Sequence, residues 1–181
     1  MKVITGKVRA SYVNVFQARF NEMSGKEEYS MAIIIPKTEK ETIQKIKDAA
    51  KAVAENKWGA KVPAGLRNPL RDADKEAEEK DEKVDPAYEN SYFMNIKSKD
   101  APEIIDAKRN PVIDSMEFIS GDYCRVSMGA FAYDTKGNKG VSFGLNNIQV
   151  LGKGEPLGKS RAEDEFDEYK DESDNSADDL F

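Results

Sequence analysis

The chain has 181 residues, with 28 Lys plus Arg against 34 Asp plus Glu, for a formal net charge of −6. That length suits one domain with a tail. No apolar run approaches the roughly 20 residues of a membrane helix, and the start, MKVITGKVRA, lacks a signal peptide's apolar stretch. A single cysteine and no histidine exclude an internal disulfide framework, the usual zinc sites and any imidazole-based triad, so a cytoplasmic protein without cofactor is expected.

Residues 3–20 are rich in Val, Ile, Tyr and Phe and long enough to bend or to form two strands. A turn over Asn21–Gly25 leads into a strong β run, Glu28–Ile35, which Pro36 ends. Thr38 and Glu41 form a capping-box pattern. Ile43, Ile46, Ala50 and Val53 then recur at helical spacing up to Gly59, predicting one helix over 38–58. Residues 60–90 read as an extended loop. The β signal returns at SYFMNIKS (91–98), and two further strands, 122–133 and 141–151, flank a turn-rich stretch, 134–140. The expected fold is mainly β with one helix (α+β). A five- to six-stranded OB barrel with an inserted helix and a long loop suits the pattern, and so does a generic α+β sheet.

Charge falls into blocks. Residues 162–181 hold ten acids and one lysine, and residues 72–89 hold nine acids and three lysines, so the rest of the chain is +9. A positive body with an acidic end suggests a polyanion partner with which the tail can compete for that body. The expected division is a domain over 1–151 and, over 152–181, a linker with a disordered acidic tail. The tail's last four residues, Asp178, Asp179, Leu180 and Phe181, offer acids, a ring and the α-carboxylate to one basic, apolar-floored pocket.

Alternation separates two faces of the strand 122–133. Cys124, Val126, Met128, Ala130 and Ala132 read as core, with Cys124 an inert buried thiol. Tyr123, Arg125, Phe131 and Tyr133 share the other face with Ser127 and Gly129, a row suited to stacking bases and meeting phosphates, unless helix or loop covers it. In 91–98, Phe93, Asn95 and Lys97 point outward. In the first strand Lys7, Arg9 and Ser11 oppose Val8, Ala10 and Tyr12. Lys136 and Lys139 sit in the hairpin loop, and Arg67 and Arg71 in the long loop. Each cation alone is an ordinary solvated charge; convergence is what would matter. Trp58 reads as packing. Asp72 and Asp74 could be magnesium ligands of a nuclease, although D-x-D is common by chance. The aromatic face also suits a protein-interaction module.

GKVRASYVNVF (6–16), EYSMAIIIPK (28–37) with its helix, Leu70-Arg71-Asp72, SGDYCRVSMGAFAYD (120–134) and NKGVSFGLNNIQ (138–149), in this order, resemble the OB-fold single-stranded DNA-binding proteins of tailed bacteriophages. The resemblance covers roughly residues 6–150 and the tail. It implies sequence-tolerant coating of single-stranded DNA in phage replication, recombination and repair, without catalysis, in the infected bacterial cytoplasm. It also implies an acidic, Phe-terminated tail that occupies the DNA groove until DNA displaces it and recruits replication proteins such as DNA polymerase or helicase. A homodimer stays open. The acidic 72–89 segment departs from the family pattern; placed at the groove mouth, it would put the roles of Arg67 and Arg71 in question.

Overall fold

A computed structural model describes residues 1–158 and 162–170. The β-rich N-terminal stretch forms two strands, β1 (Lys2–Ile4) and β2 (Val8–Asn21), followed by β3 (Lys26–Pro36) and the helix α1 (Lys40–Trp58). Next come β4 (Arg71–Asp72), α2 (Ala73–Glu79), β5 (Ser91–Ser98) and β6 (Glu103–Ile105), and then β7 (Tyr123–Thr135), β8 (Asn138–Gly152) and a last helical turn, α3 (Ala162–Glu165).

The pairings close a ring. β2 pairs with β3 and β3 with β5; β5 meets β8 in parallel at Lys97–Gly144; β8 pairs with β7, and β7 returns to β2 at Val8–Cys124 and Arg9–Tyr123. Five strands in this order make an OB-type barrel, with β1 added to β7, β6 to β8 and β4 to β5. Ala10, Met31, Ile33, Met94, Ile96, Val126, Met128, Phe143 and Ile148 fill its interior. Each large apolar side chain so buried contributes about 1.5–3 kcal/mol. α1 packs on β7, β1 and β8 through Ile43, Ile46, Ala49 and Ala54. Trp58 packs against the same core.

Four features differ from expectation. The helix begins at Lys40 after Glu39, with no side-chain cap; Thr42 instead accepts the Gly6 amide at 2.9 Å, tying the helix to the β1–β2 connection. The single expected helix has companions in α2 and α3. The signal for α2 was local, since Asp72 caps Lys75 N–H ahead of a run of Ala, Glu and Lys, good helix formers; with only Ala73 buried, no apolar period marks it. In β2 the alternation breaks at Tyr12 (φ 48°), where the register shifts. That bulge turns Tyr12 outward, 73% exposed, reversing its expected face, whereas Ser11 keeps its outward place and is buried beside Tyr88, whose hydroxyl it accepts. The β7–β8 hairpin closes in two residues, Lys136 and Gly137, with φ of 48° and 83°, the mirror-image turn that matches strand twist.

The start of the expected linker is fixed to the barrel. Lys153 Nζ lies 2.9 Å from the fully buried Asp122 carboxylate, which also accepts the Ile119 and Gly154 amides, and Leu157 N–H donates to Ser120 O. Gly121 (φ 110°) and Gly154 allow the backbones to meet, because a Cβ on either would run into main chain.

Candidate nucleic-acid interface

Cross-strand register assembles the site. On the barrel's outer surface Tyr123 of β7 pairs with Arg9 of β2, Arg9 with Ile34 of β3, Ile34 with Phe93 of β5, and Phe93 with Arg71 of β4. These five residues form one row across five strands, about 4.8 Å apart per step. Two rows run beside it, Ser11–Ala32–Asn95 and Asn14–Ser30–Lys97. Expected outward residues from separate strands thus come together as a band of rings and cations.

At one end of the row the Lys7 ammonium sits 4.5 Å from the Tyr123 ring centre, and the Arg9 guanidinium 5.8 Å from it. Arg9 Nε donates to Gly121 O at 2.9 Å and its terminal nitrogen to Glu155 O at 2.6 Å. Backbone carbonyls therefore orient Arg9 through dipoles, which leave its charge in place.

At the other end Arg71 lies 4.6 Å over the Phe93 ring and makes a two-point ion pair with Glu76, at 2.7 and 2.9 Å. Tyr88 meets Phe93 edge-on, with ring centres 5.4 Å apart at 87°, and its hydroxyl donates to Ser11 Oγ at 2.8 Å. Burial pushes the Tyr88 hydroxyl pKa up, and the Ser11 bond only partly opposes this. The outward-facing Ala32 and Ile34 are each 2% exposed. Lys97 is exposed, 3.7 Å from Glu28. Burial works to raise the Glu28 carboxyl pKa, but the Asn21 bond and Lys97 outweigh it and hold the value below the usual range.

The other expected residues stand apart from this row. Arg125 turns toward β1 and donates to Thr5 O at 3.0 Å; it shares a hollow with Ile4, Ile105 and Gln149. Phe131 is 46% exposed. Tyr133 lies across Gly140 and, with Arg67 and Lys139, lines a hollow of about 320 Å³ at the hairpin tip. Arg67 bridges to Gly140, Lys139 lies 3.9 Å from Asp134, and Lys136 occupies the turn. Tyr123 and Tyr133 are ten residues apart on one strand, roughly 33 Å. The row runs across the sheet, and of the β7 residues only Tyr123 lies in it.

A family model described as the ssDNA-binding protein of Enterobacter phage Enc34 matches residues 1–177. The chain belongs to this family. Putative protein p50 of Acyrthosiphon pisum secondary endosymbiont phage 1 is 27% identical, covering 93% of this chain and 94% of its own. Among solved structures, the single-stranded DNA-binding protein of bacteriophage Enc34 in complex with ssDNA superposes with a TM-score of 0.71 at 19% identity, over 87% of this chain and 89% of that one. The bacteriophage T7 single-stranded DNA-binding protein gp2.5 gives 0.66 at 14% identity, over 94% and 97%. The two share the OB-type fold described above.

Within this member of the Enc34 family, Asp72 and Asp74 both hold Lys37, each at 2.9 Å. Asp72 also caps α2, and Asp74 accepts the Asn90 amide at 3.0 Å. The expected magnesium alternative meets a built-in ammonium at that place, and no carboxylate group suited to a metal occurs among the described residues. Burial pushes the Cys124 thiol up to about 12, as an inert core thiol requires. Asp178, Asp179, Leu180 and Phe181 lie outside the described residues. The sequence reading missed Tyr88, Glu76 and Lys37 because each acts through a partner far along the chain or in an aperiodic loop. Only the acid-rich α2 run offered a signal.

Proposed function

We propose that this chain is a non-enzymatic single-stranded DNA-binding protein of phage replication, recombination and repair, working in the infected bacterial cytoplasm. The observation that carries the reading is the Tyr123–Arg9–Ile34–Phe93–Arg71 row. Rings offer faces to bases, and Lys7 and Arg9 offer charge to phosphates, which favours sequence-tolerant binding. Membership of the phage family supports it. Lys97, Arg67, Tyr133, Lys136 and Lys139 extend the path toward the hairpin tip, and Arg125 and Phe131 are peripheral contacts. Residues 1–151 bind DNA. The acidic tail competes with DNA for the groove and recruits replication proteins such as DNA polymerase or helicase through Asp178–Phe181. Titration of labelled oligo-dT, oligo-rU and duplex DNA at two salt concentrations tests this. Preferential, salt-sensitive binding to oligo-dT, tightened by deleting residues 162–181, is expected. No binding at low salt, with or without the tail, would overturn it in favour of a protein interface.

A further inference from the structure

The band of rings and cations is walled on one side by the chain's own acids. From Asp72 to Tyr88 the backbone leaves β4, forms α2 and crosses toward β2, where Tyr88 bonds Ser11. Lys37 anchors the start of this segment through Asp72 and Asp74, and Tyr88 anchors its end against Phe93. Mutual attraction holds the Lys37 ammonium pKa above its usual value, chiefly through Asp74 and then Asp72. Between the anchors, Glu76, Glu82 and Asp85 line a hollow with Lys80, Lys83, Phe93 and Tyr88, within a segment, 72–89, that carries nine acids against three lysines. The groove is thus asymmetric, with Lys7 and Arg9 beside Tyr123 at one end of the row and, beside Phe93 at the other, an Arg71 already paired with Glu76 next to a segment of net negative charge.

We infer that this acidic wall is the specificity-determining element that admits one strand and rejects two. A single strand has one backbone, which can run along Lys7 and Arg9 and turn its bases toward the rings. A duplex carries phosphates on both sides, so docking on the same cations brings its second backbone against the wall. Like charges brought together disfavour the wrong partner without improving the right one. The inference rests on the proposed binding of single strands at this row. It gives the acidic segment a role that a solvated loop would not have.

The test compares full-length protein with the triple variant Glu76→Gln, Glu82→Gln and Asp85→Asn. These amides keep an acceptor for Arg71 and for the Ala87 amide while removing three charges. A control removes three charges from the exposed side of α1, with Glu41→Gln, Asp48→Asn and Glu55→Gln. Affinities for oligo-dT and for a duplex of equal length are measured at low salt. The groove variant is expected to gain about tenfold more affinity for duplex than for oligo-dT, with the α1 control changing the ratio less than about twofold. Equal gains for both DNAs would overturn the inference, making the segment a competitor for any DNA, and an unchanged ratio would overturn it too. Failure of the unsubstituted protein to bind oligo-dT would instead defeat the proposed function. Circular dichroism and thermal unfolding establish that the variants are folded.

Discussion

The two ends of the outer row use the same parts, an aromatic ring and an arginine beside it, yet they present different surfaces. At the Tyr123 end, Arg9 is held by the carbonyls of Gly121 and Glu155, and at the Phe93 end Arg71 is held by the Glu76 carboxylate. A carbonyl fixes direction and leaves a full positive charge for a ligand, whereas a carboxylate cancels most of it. Phe93 also has Tyr88 on its edge. Ring-plus-cation patterns in sequence therefore say little until the counter-group is known.

The largest expected effect tests what orients the Tyr123 end. Asp122→Ala removes a buried acceptor of Lys153 and of two amides and should cost roughly 2–4 kcal/mol of stability. Chemical denaturation measures this, and single-strand affinity should fall with it as the Glu155 carbonyl leaves Arg9. Next, Tyr123→Ala should cost about 1–3 kcal/mol of oligo-dT binding, and Phe93→Ala less than about 1 kcal/mol, because its ring is already engaged. Equal losses in a fluorescence titration would abolish the contrast. A smaller effect concerns salt. Lys7→Gln should flatten the slope of log affinity against log salt by about 0.7. Lys97→Gln should flatten it less, since Glu28 already neutralises Lys97.

The smallest effect lies in the anchor of the acidic wall. The Lys37 bond, with the Asn90 amide, holds the Asp74 carboxyl pKa below its usual value. For Asp72, burial opposes the same change, but Lys37 and the Lys75 amide prevail. A carboxylate whose pKa is depressed by folding stabilises the fold above its unfolded value, near about 4. That contribution is lost as pH falls through the lower folded value. Lys37→Met should therefore raise both carboxyl titrations, read by NMR, and flatten the acid limb of the stability profile.

Most of the barrel was legible in the sequence, because buried strands impose a period of two and α1 imposes helical spacing. β5 runs from Ser91 to Ser98 as read, and Gly59 ends α1 as expected, its N–H donating to Glu55 O. Weak periods hid the rest. β6 has three residues, α2 buries only Ala73, and the Tyr12 bulge inverts the faces beyond it.

Composition, alternation and charge blocks by themselves determined a β-rich body, its long helix, the outward placement of Arg9, Phe93 and Tyr123, and an acidic interruption at 72–89. These are properties of single segments, fixed by local periodicity and by which side chains water accepts. Only the tertiary structure decided that Tyr123, Arg9, Phe93 and Arg71 line up in one row across strands, and that Arg71 faces Glu76 while Arg9 faces carbonyls. Register and counter-charges join residues far apart in the chain, and no local pattern carries the energy of pairings made only when the barrel closes.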